Sequence, residues 1–260
     1  MPHVKVLLAF FLIIISSHVL FSQIDTSETM KKRKLTINNA VIINPYYTAL
    51  FPVGELSKRY GFSSNVGLNI SYKMKHNWLI GIEGAYMWDR SVKERGILDS
   101  ISTYLTGQII GNDGSLNDIA LQMSGFEIAI RVGKIIPTSK KHPNSGVMIS
   151  LAPGFMQHRI FINADKQNIP QLDPTYRKGY DRLTNGAMVS GFLGYLYLER
   201  KKFISVYGGI DFAAGFTENR RAWNFDLMGP DTHKRLDMLI GIKVGWVIPI
   251  FTNKDEEVYF

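Results

Sequence analysis

From Phe62 to Trp88 apolar and polar positions alternate with a period of two. Phe62, Val66, Leu68, Ile70, Tyr72 and Met74 fall on one face of an extended run, and Ser63, Asn65, Gly67, Asn69, Ser71 and Lys73 fall on the other. After Lys75-His76-Asn77 a second run puts Trp78, Ile80, Ile82, Tyr86 and Trp88 on its apolar face, opposite Leu79, Gly81, Glu83, Ala85 and Met87. This is a β-hairpin whose bulky face suits lipid and whose smaller, more polar face suits a crowded lumen. A soluble barrel would place its bulky side chains inside.

The same pattern recurs in six further runs. Asn39 to Phe51 carries Val41, Ile43, Tyr47, Ala49 and Phe51 on one face, with Pro45 arguing for a bulge or kink. Ser124 to Lys134 sets Phe126, Ile128, Ile130 and Val132 against Glu127, Ala129, Arg131 and Gly133. Gly146 to Phe161 sets Val147, Ile149, Leu151 and Phe155 against Ser150, Ala152 and Gly154. Ala187 to Leu198 leaves its facing open, because Tyr195 and Leu196 are both bulky. Phe203 to Phe216 and Leu236 to Phe251 alternate cleanly, the last placing Ile240, Ile242, Val244 and Trp246 opposite Asp237, Gly241, Lys243 and Gly245.

Eight strands are therefore expected, in an all-β, antiparallel transmembrane β-barrel of the outer membrane spanning 39–251. An even count returns both ends of the barrel to one side. Connection lengths agree: 75–77, 135–145 and 199–202 are shorter, whereas 89–123, 162–186 and 217–235 are long and polar, with 52–61 as the remaining outer connection. Short turns belong at the periplasmic rim and long loops outside. Trp78 and Trp88 lie ten residues apart, which at ~3.3 Å per residue and a ~40° tilt separates them by roughly 25 Å, the height of an apolar band.

The N-terminus changes the picture by supplying an address. Lys5, the apolar run Val6 to Ile15 and a small residue at Ser22 read as a secretory signal peptide over 1–22. The apolar run is shorter than the ~18 residues of a spanning helix. Residues 23–38 then form a periplasmic segment and 252–260 a periplasmic tail. With no cysteine in the chain, disulfides, a lipoprotein anchor and thiolate metal sites are excluded. The formal net charge of +8 is spread over loops and strand ends, so lipopolysaccharide phosphates or acidic protein surfaces are the expected counter-charges, and nucleic acid is not an expected partner.

Inside the barrel the pattern places Lys73, Glu83, Glu127, Arg131, Asp211, Asp237 and Lys243. Charges of both signs in a narrow lumen must pair, so one cross-lumen network that plugs the barrel is expected in preference to a proton or ion path. No catalytic, cofactor or metal residues are assigned. His158 and His233 fall near the outer rim with Asp231, Thr232 and Ser190 in range of it, but no G-x-S-x-G elbow accompanies them. Gly111-Asn112-Asp113-Gly114-Ser115 reads as a turn, since it lacks the ligand spacing of a calcium loop. Arg177 to Arg182, Arg220-Arg221 and His233-Lys234-Arg235 form a basic rim, read as solvated loops with phosphate binding as the sharper alternative. Two loops are unusually apolar: one with Ile97, Leu98, Ile101, Tyr104, Leu105, Ile109 and Ile110, the other with Trp223, Phe225, Leu227 and Met228. Such loops cap the barrel or dock on a partner.

The final strand carries Lys243-Val244-Gly245-Trp246-Val247-Ile248-Pro249-Ile250, which resembles an outer-membrane assembly signal through Lys243, Gly245, Ile248 and Ile250. With Phe21-Ser22-Gln23, Pro52-Val53-Gly54-Glu55-Leu56 and the Asn65 to Trp88 hairpin, the chain resembles the small outer-membrane β-barrel proteins of Bacteroidota, the PorT-like group. The resemblance implies fold and location, and it transfers no functional residue. The expected role is non-enzymatic: a structural or accessory subunit of an envelope complex, such as secretion or barrel-assembly machinery, in contact with outer-membrane lipid, lipopolysaccharide and other outer-membrane or periplasmic proteins. The alternatives are a lipid-modifying enzyme and a narrow pore.

Overall fold

A computed structural model describes residues 39–139, 142–164, 169–198 and 205–251. The expected signal peptide, the segment 23–38 and the tail 252–260 lie outside the described residues, as does the connection 199–202. The barrel strands are β1 (Ala40–Gly54), β2 (Ser63–Lys73), β3 (Trp78–Asp89), β4 (Ala120–Pro137), β5 (Gly146–Asn163), β6 (Thr184–Tyr197), β7 (Ser205–Asn219) and β8 (Lys234–Phe251). Each pairs antiparallel with its chain neighbour, and β1 closes the ring against β8. The expected eight-stranded barrel is the observed fold. Residues 39 and 251 both lie at the short-turn end.

Parity along each strand decides what faces lipid. Ile82, Ile128, Leu151, Leu193, Ile210 and Ile242 are all more than half exposed, and together they form an aliphatic belt around the barrel. An apolar band of this extent is stable only against hydrocarbon. Aromatic side chains edge the belt. Tyr86 stacks on Trp88, and Phe126 lies 6.1 Å from Phe155, near the long-loop end. Trp78, with the Lys134 ammonium 5.2 Å from its ring centroid, marks the short-turn end. The undecided sixth run resolves through its register: Tyr195 faces out at 44% exposure and Leu196 faces in at 1%.

Pro45 produces no bulge. Pairing of β1 with β8 stops after Ile43↔Ile248 and resumes at Tyr46↔Gly245, three residues later on both strands, so the register is unchanged. Proline removes one donor from the ladder, and Pro45 is exposed on the outward face while still in register with Leu68 of β2. Strands β4 and β5, each 18 residues, exceed the ~9–11 residues needed to span a bilayer and project beyond it at the long-loop end.

Glycines inside the barrel make room for aromatic rings. A Cβ on Gly245 would come within 2.4 Å of the Tyr207 ring, and one on Gly67 would meet the Tyr46 ring at the same distance. The glycine of the assembly-signal pattern thus has a packing role in the folded barrel. Gly245→Ala is expected to cost about 1–3 kcal/mol through displacement of Tyr207, read as a lowered denaturant midpoint in vesicles; Tyr207→Ala combined with it should show non-additivity.

Candidate functional site

The lumen is filled in three tiers. At its centre Arg131 forks onto Glu83, with Nε–H donating to Oε2 at 2.5 Å and Nη2–H to Oε1 at 2.8 Å. Its other donors reach the Ser150 hydroxyl at 2.9 Å and the Ser190 hydroxyl at 3.3 Å. Lys243 Nζ bridges Glu83 at 3.1 Å and Asp211 at 2.8 Å while sitting 4.5 Å from the Tyr46 ring centroid. The ion pairs thereby tie four strands, β3, β4, β7 and β8, across the barrel, and the serine contacts add β5 and β6. The void beside this cluster is about 10 Å³, room for one water at most.

Glu127 also faces inward, beside Ala85 and Met156 in register, and has no hydrogen-bond or ion-pair partner among the described residues. It is the third carboxylate near two cations. Glu127→Gln removes the surplus negative charge without breaking a pair, so its effect on stability is expected to stay within about 1 kcal/mol of zero or to be favourable. A larger loss on equilibrium unfolding in vesicles would show that the Glu127 charge is paired.

The other two expected members of the network lie elsewhere, which corrects the expectation of one connected cluster. Lys73 sits at the short-turn mouth, fully buried, with its ammonium donating to Asn144 Oδ1 at 2.9 Å. Asp237 lies in the upper lumen, where Oδ2 accepts from the Thr217 hydroxyl at 2.5 Å and pairs with His158 Nε2 at 2.9 Å. Strand parity places all seven inside, but height along the barrel separates them by more than one side-chain reach.

His158 is completely buried. Its Nδ1 is 3.4 Å from the Tyr60 hydroxyl, and the two rings meet edge-on at 5.5 Å between centroids. Burial raises the Tyr60 phenol above its ordinary pKa, so the hydroxyl stays protonated and can donate to Nδ1, which leaves Nε2–H for Asp237. Ser190 belongs to the Arg131 cluster instead, and the exposed His233 contacts Glu55 at 3.3 Å. The residues considered for a catalytic triad are therefore not brought together.

Above this tier the long connections close the mouth. The short helix α1 (Leu56–Arg59) has Leu56 and Arg59 at i and i+3, and Leu56, Arg59 and the following Tyr60 are all buried. Leu56 and Tyr60 pack into an apolar layer with Leu50, Met87, Ile97, Leu98, Ile109 and Ile160. Arg59 reaches Glu94 at 3.2 Å and Asp231 at 3.9 Å. Arg182 pairs with Asp226 at 2.5 Å, Glu94 at 3.0 Å and Asp231 at 3.7 Å, and Arg235 with Asp231 at 2.6 Å. Burial opposes ionisation of Asp231, but hydrogen bonds from the Arg235 side chain and the His233 N–H outweigh it and hold its carboxyl below the usual range. Three arginines and three acids thus join all four long connections. Sequence reading missed this site because Arg59, Glu94 and Arg182 lie in three different loops from the Asp226, Asp231 and Arg235 they join; the local signals were the apolar i, i+4 pair Leu56 and Tyr60 flanking Arg59 and the i, i+4 pair Asp231 and Arg235.

The basic rim is accordingly not simply solvated. Arg182 and Arg235 turn into the cap, Arg221 forks onto Asp181, and Arg220 pairs with Glu218. The Gly111 to Ser115 segment is a turn at the tip of a two-stranded ribbon, Ile109–Ile110 with Leu116–Asn117, where Asp113 Oδ1 accepts from the Ser115 hydroxyl at 2.6 Å and from its N–H at 3.1 Å. Gly114 takes φ +79° there. Of the apolar loop residues, Ile97, Leu98 and Ile109 are buried in the cap, and Phe225 packs on Tyr180 at 5.0 Å between centroids. Tyr104, Leu105, Trp223, Leu227 and Met228 stay exposed.

A closed antiparallel barrel of eight strands, aliphatic outside and filled by charge pairs inside, defines a transmembrane β-barrel. No family model matches the sequence, and no curated protein matches it. Among solved structures the chain is similar to Neisserial surface protein A, with a TM-score of 0.43 and 8% identity over 80% of this chain and 96% of that one. It is similar to the attachment invasion locus protein Ail of Yersinia pestis, crystallised with the heparin analogue sucrose octasulfate, with a TM-score of 0.37 and 8% identity over 81% of this chain and 99% of that one. The N-terminal β-barrel domain of Pseudomonas aeruginosa OprF gives a TM-score of 0.37 and 11% identity over 81% of this chain and 98% of that one. Likeness at this level carries nothing about what the chain binds.

Proposed function

We propose that the chain is a non-enzymatic outer-membrane barrel that anchors a docking surface at its long-loop end, as an accessory subunit of an envelope complex such as secretion or barrel-assembly machinery. The observation behind this reading is the division within the loops. Ile97, Leu98 and Ile109 are buried in a charge-tied cap, yet Tyr104, Leu105 and Met228 remain 102%, 91% and 77% exposed. Loop tips held on a rigid base present apolar surface at low entropic cost to a partner. The outer-membrane location is supported by the exterior belt together with the leader expected over 1–22, and the PorT-like resemblance of the sequence points the same way. Phosphorylated lipid is a further expected contact.

The test is affinity purification of a tagged copy from native membranes in mild detergent, with mass spectrometry of what co-elutes. Stoichiometric envelope proteins that are lost with Trp223→Ser/Met228→Ser support the docking surface; a solitary monomer counts against it. The same reading expects a silent planar bilayer and an unchanged lipid A profile in a deletion strain. Stepwise conductance would favour the pore, and a changed profile that His158→Ala reproduces would favour the enzyme.

A further inference from the structure

A cleft of about 200 Å³ opens between the outer extension of β5 and the connection that follows it, lined by Arg159, Phe161, Arg177, Lys178, Asp181 and Arg221 among others. Its depth follows from β5. The outward face runs through the exposed Ile149, Leu151 and Phe155 and then turns polar at Gln157 and Arg159. Arg159 lies four residues beyond Phe155, which at ~3.3 Å per residue and ~40° tilt is about 10 Å along the membrane normal, at headgroup level. In register, Phe126 of the adjacent β4 and Tyr86 of β3 beyond it fall in the row of Gln157, one outward-facing step below Arg159, and Trp88 falls in the row of Arg159 itself.

The cleft's charges do not balance. Asp181 is the one carboxylate among the described residues that line it, and it is already engaged: Arg221 forks onto it, with Nε–H donating to Oδ1 at 2.7 Å, and the Leu183 N–H donates to Oδ1 at 3.2 Å. Arg177 is oriented by donation to the Ile162 carbonyl at 3.3 Å. Arg159 and Lys178 are exposed and have no hydrogen-bond or ion-pair partner among the described residues. Cations gathered on a concave surface at headgroup depth repel one another unless an anion joins them, and guanidinium and ammonium donors suit the oxygens of a phosphate.

We propose that this cleft binds a phosphate monoester group, held chiefly by Arg159 and Lys178 and carried by a headgroup of the surrounding outer leaflet. The proposal rests on the membrane placement above and not on any protein partner, so a solitary monomer in the purification would leave it standing. The test uses the intact protein in phosphatidylcholine vesicles doped with bisphosphorylated lipid A or with its enzymatically dephosphorylated form, reading retained lipid by native mass spectrometry. Wild type is expected to retain the phosphorylated lipid, and Arg159→Gln/Lys178→Gln to lose at least about tenfold in retention, the equivalent of one lost charge-assisted contact. Arg220→Gln, at the same rim but paired with Glu218, serves as the control and should retain it. Both substituted residues are exposed, and heat-modifiable gel mobility verifies that each variant is folded. Competition by inorganic phosphate as effective as that by the lipid would support the phosphate site while assigning its ligand to the soluble pool. Equal retention by wild type and the double variant, or no preference for the phosphorylated lipid, overturns the proposal.

Discussion

Replacing Arg131 by methionine is expected to cost about 3–5 kcal/mol of barrel stability, the largest effect of any single change in the lumen. The substitution removes the fork onto Glu83 and the contacts to Ser150 and Ser190, leaving Glu83 and Asp211 to share Lys243 alone. Two carboxylates held near one ammonium, with space for no more than about one water beside them, cannot recover their solvation. The measurement is guanidinium unfolding in phosphatidylcholine vesicles, followed by tryptophan emission. Adding Glu83→Gln should restore much of the loss, because the uncompensated charge costs more than the pair contributes. A single variant within about 1 kcal/mol of wild type would mean that water reaches the cluster, and the plugged description of the lumen would then fail.

Arg182→Ala should release the cap. Arg182 links Glu94, Asp226 and Asp231, which sit in two other connections, and it does so from a backbone with φ +50°, a conformation disfavoured for residues with a Cβ. Loss of its guanidinium leaves three largely buried carboxylates with fewer partners, at a cost of about 3 kcal/mol in local opening, or on the order of a hundredfold in the open fraction. Limited proteolysis of the 90–119 connection should accelerate by that order while the barrel's unfolding midpoint moves much less. Arg182→Gly should be milder by about 1 kcal/mol, since glycine accepts the left-handed backbone. The cap should also loosen in acid. Because Asp231 has its folded pKa depressed, its stabilising contribution is present above the ordinary carboxylate range and is lost as pH falls through the lower folded value. Unchanged cleavage in Arg182→Ala would mean that the apolar layer around Leu56 and Tyr60 holds the loops without the ion pairs.

The barrel was legible from a single repeating signal. Period-two alternation assigns every residue of a strand to lipid or lumen once one is assigned, and a long strand gives that signal many times over, so the inward facing of Glu83, Arg131, Asp211 and Lys243 followed from parity. Where both parities were bulky, as at Tyr195 and Leu196, the sequence left the choice open and only the register with β5 and β7 decided it. Pro45 pointed to a bulge because proline removes a ladder donor, but an outward ring with an intact register on both sides needed no bulge.

Contacts across the barrel carry no such signal. Parity could not tell that Lys73 and Asp237 stand at different heights from the Arg131 cluster, because height depends on strand tilt and stagger accumulated around the ring. The loops were harder still. Arg182 meets Glu94, 88 positions earlier in the chain, and nothing local to either residue encodes that meeting; the basic rim therefore read as solvated although Arg182 and Arg235 turn into the cap. The sequence by itself determined strand number, facing and the lipid belt, since those depend on local periodicity. The tertiary structure alone decided which lumen charges pair, that four connections close into one cap, and which cations at the rim remain without a partner, since each depends on distances between segments that only barrel closure sets.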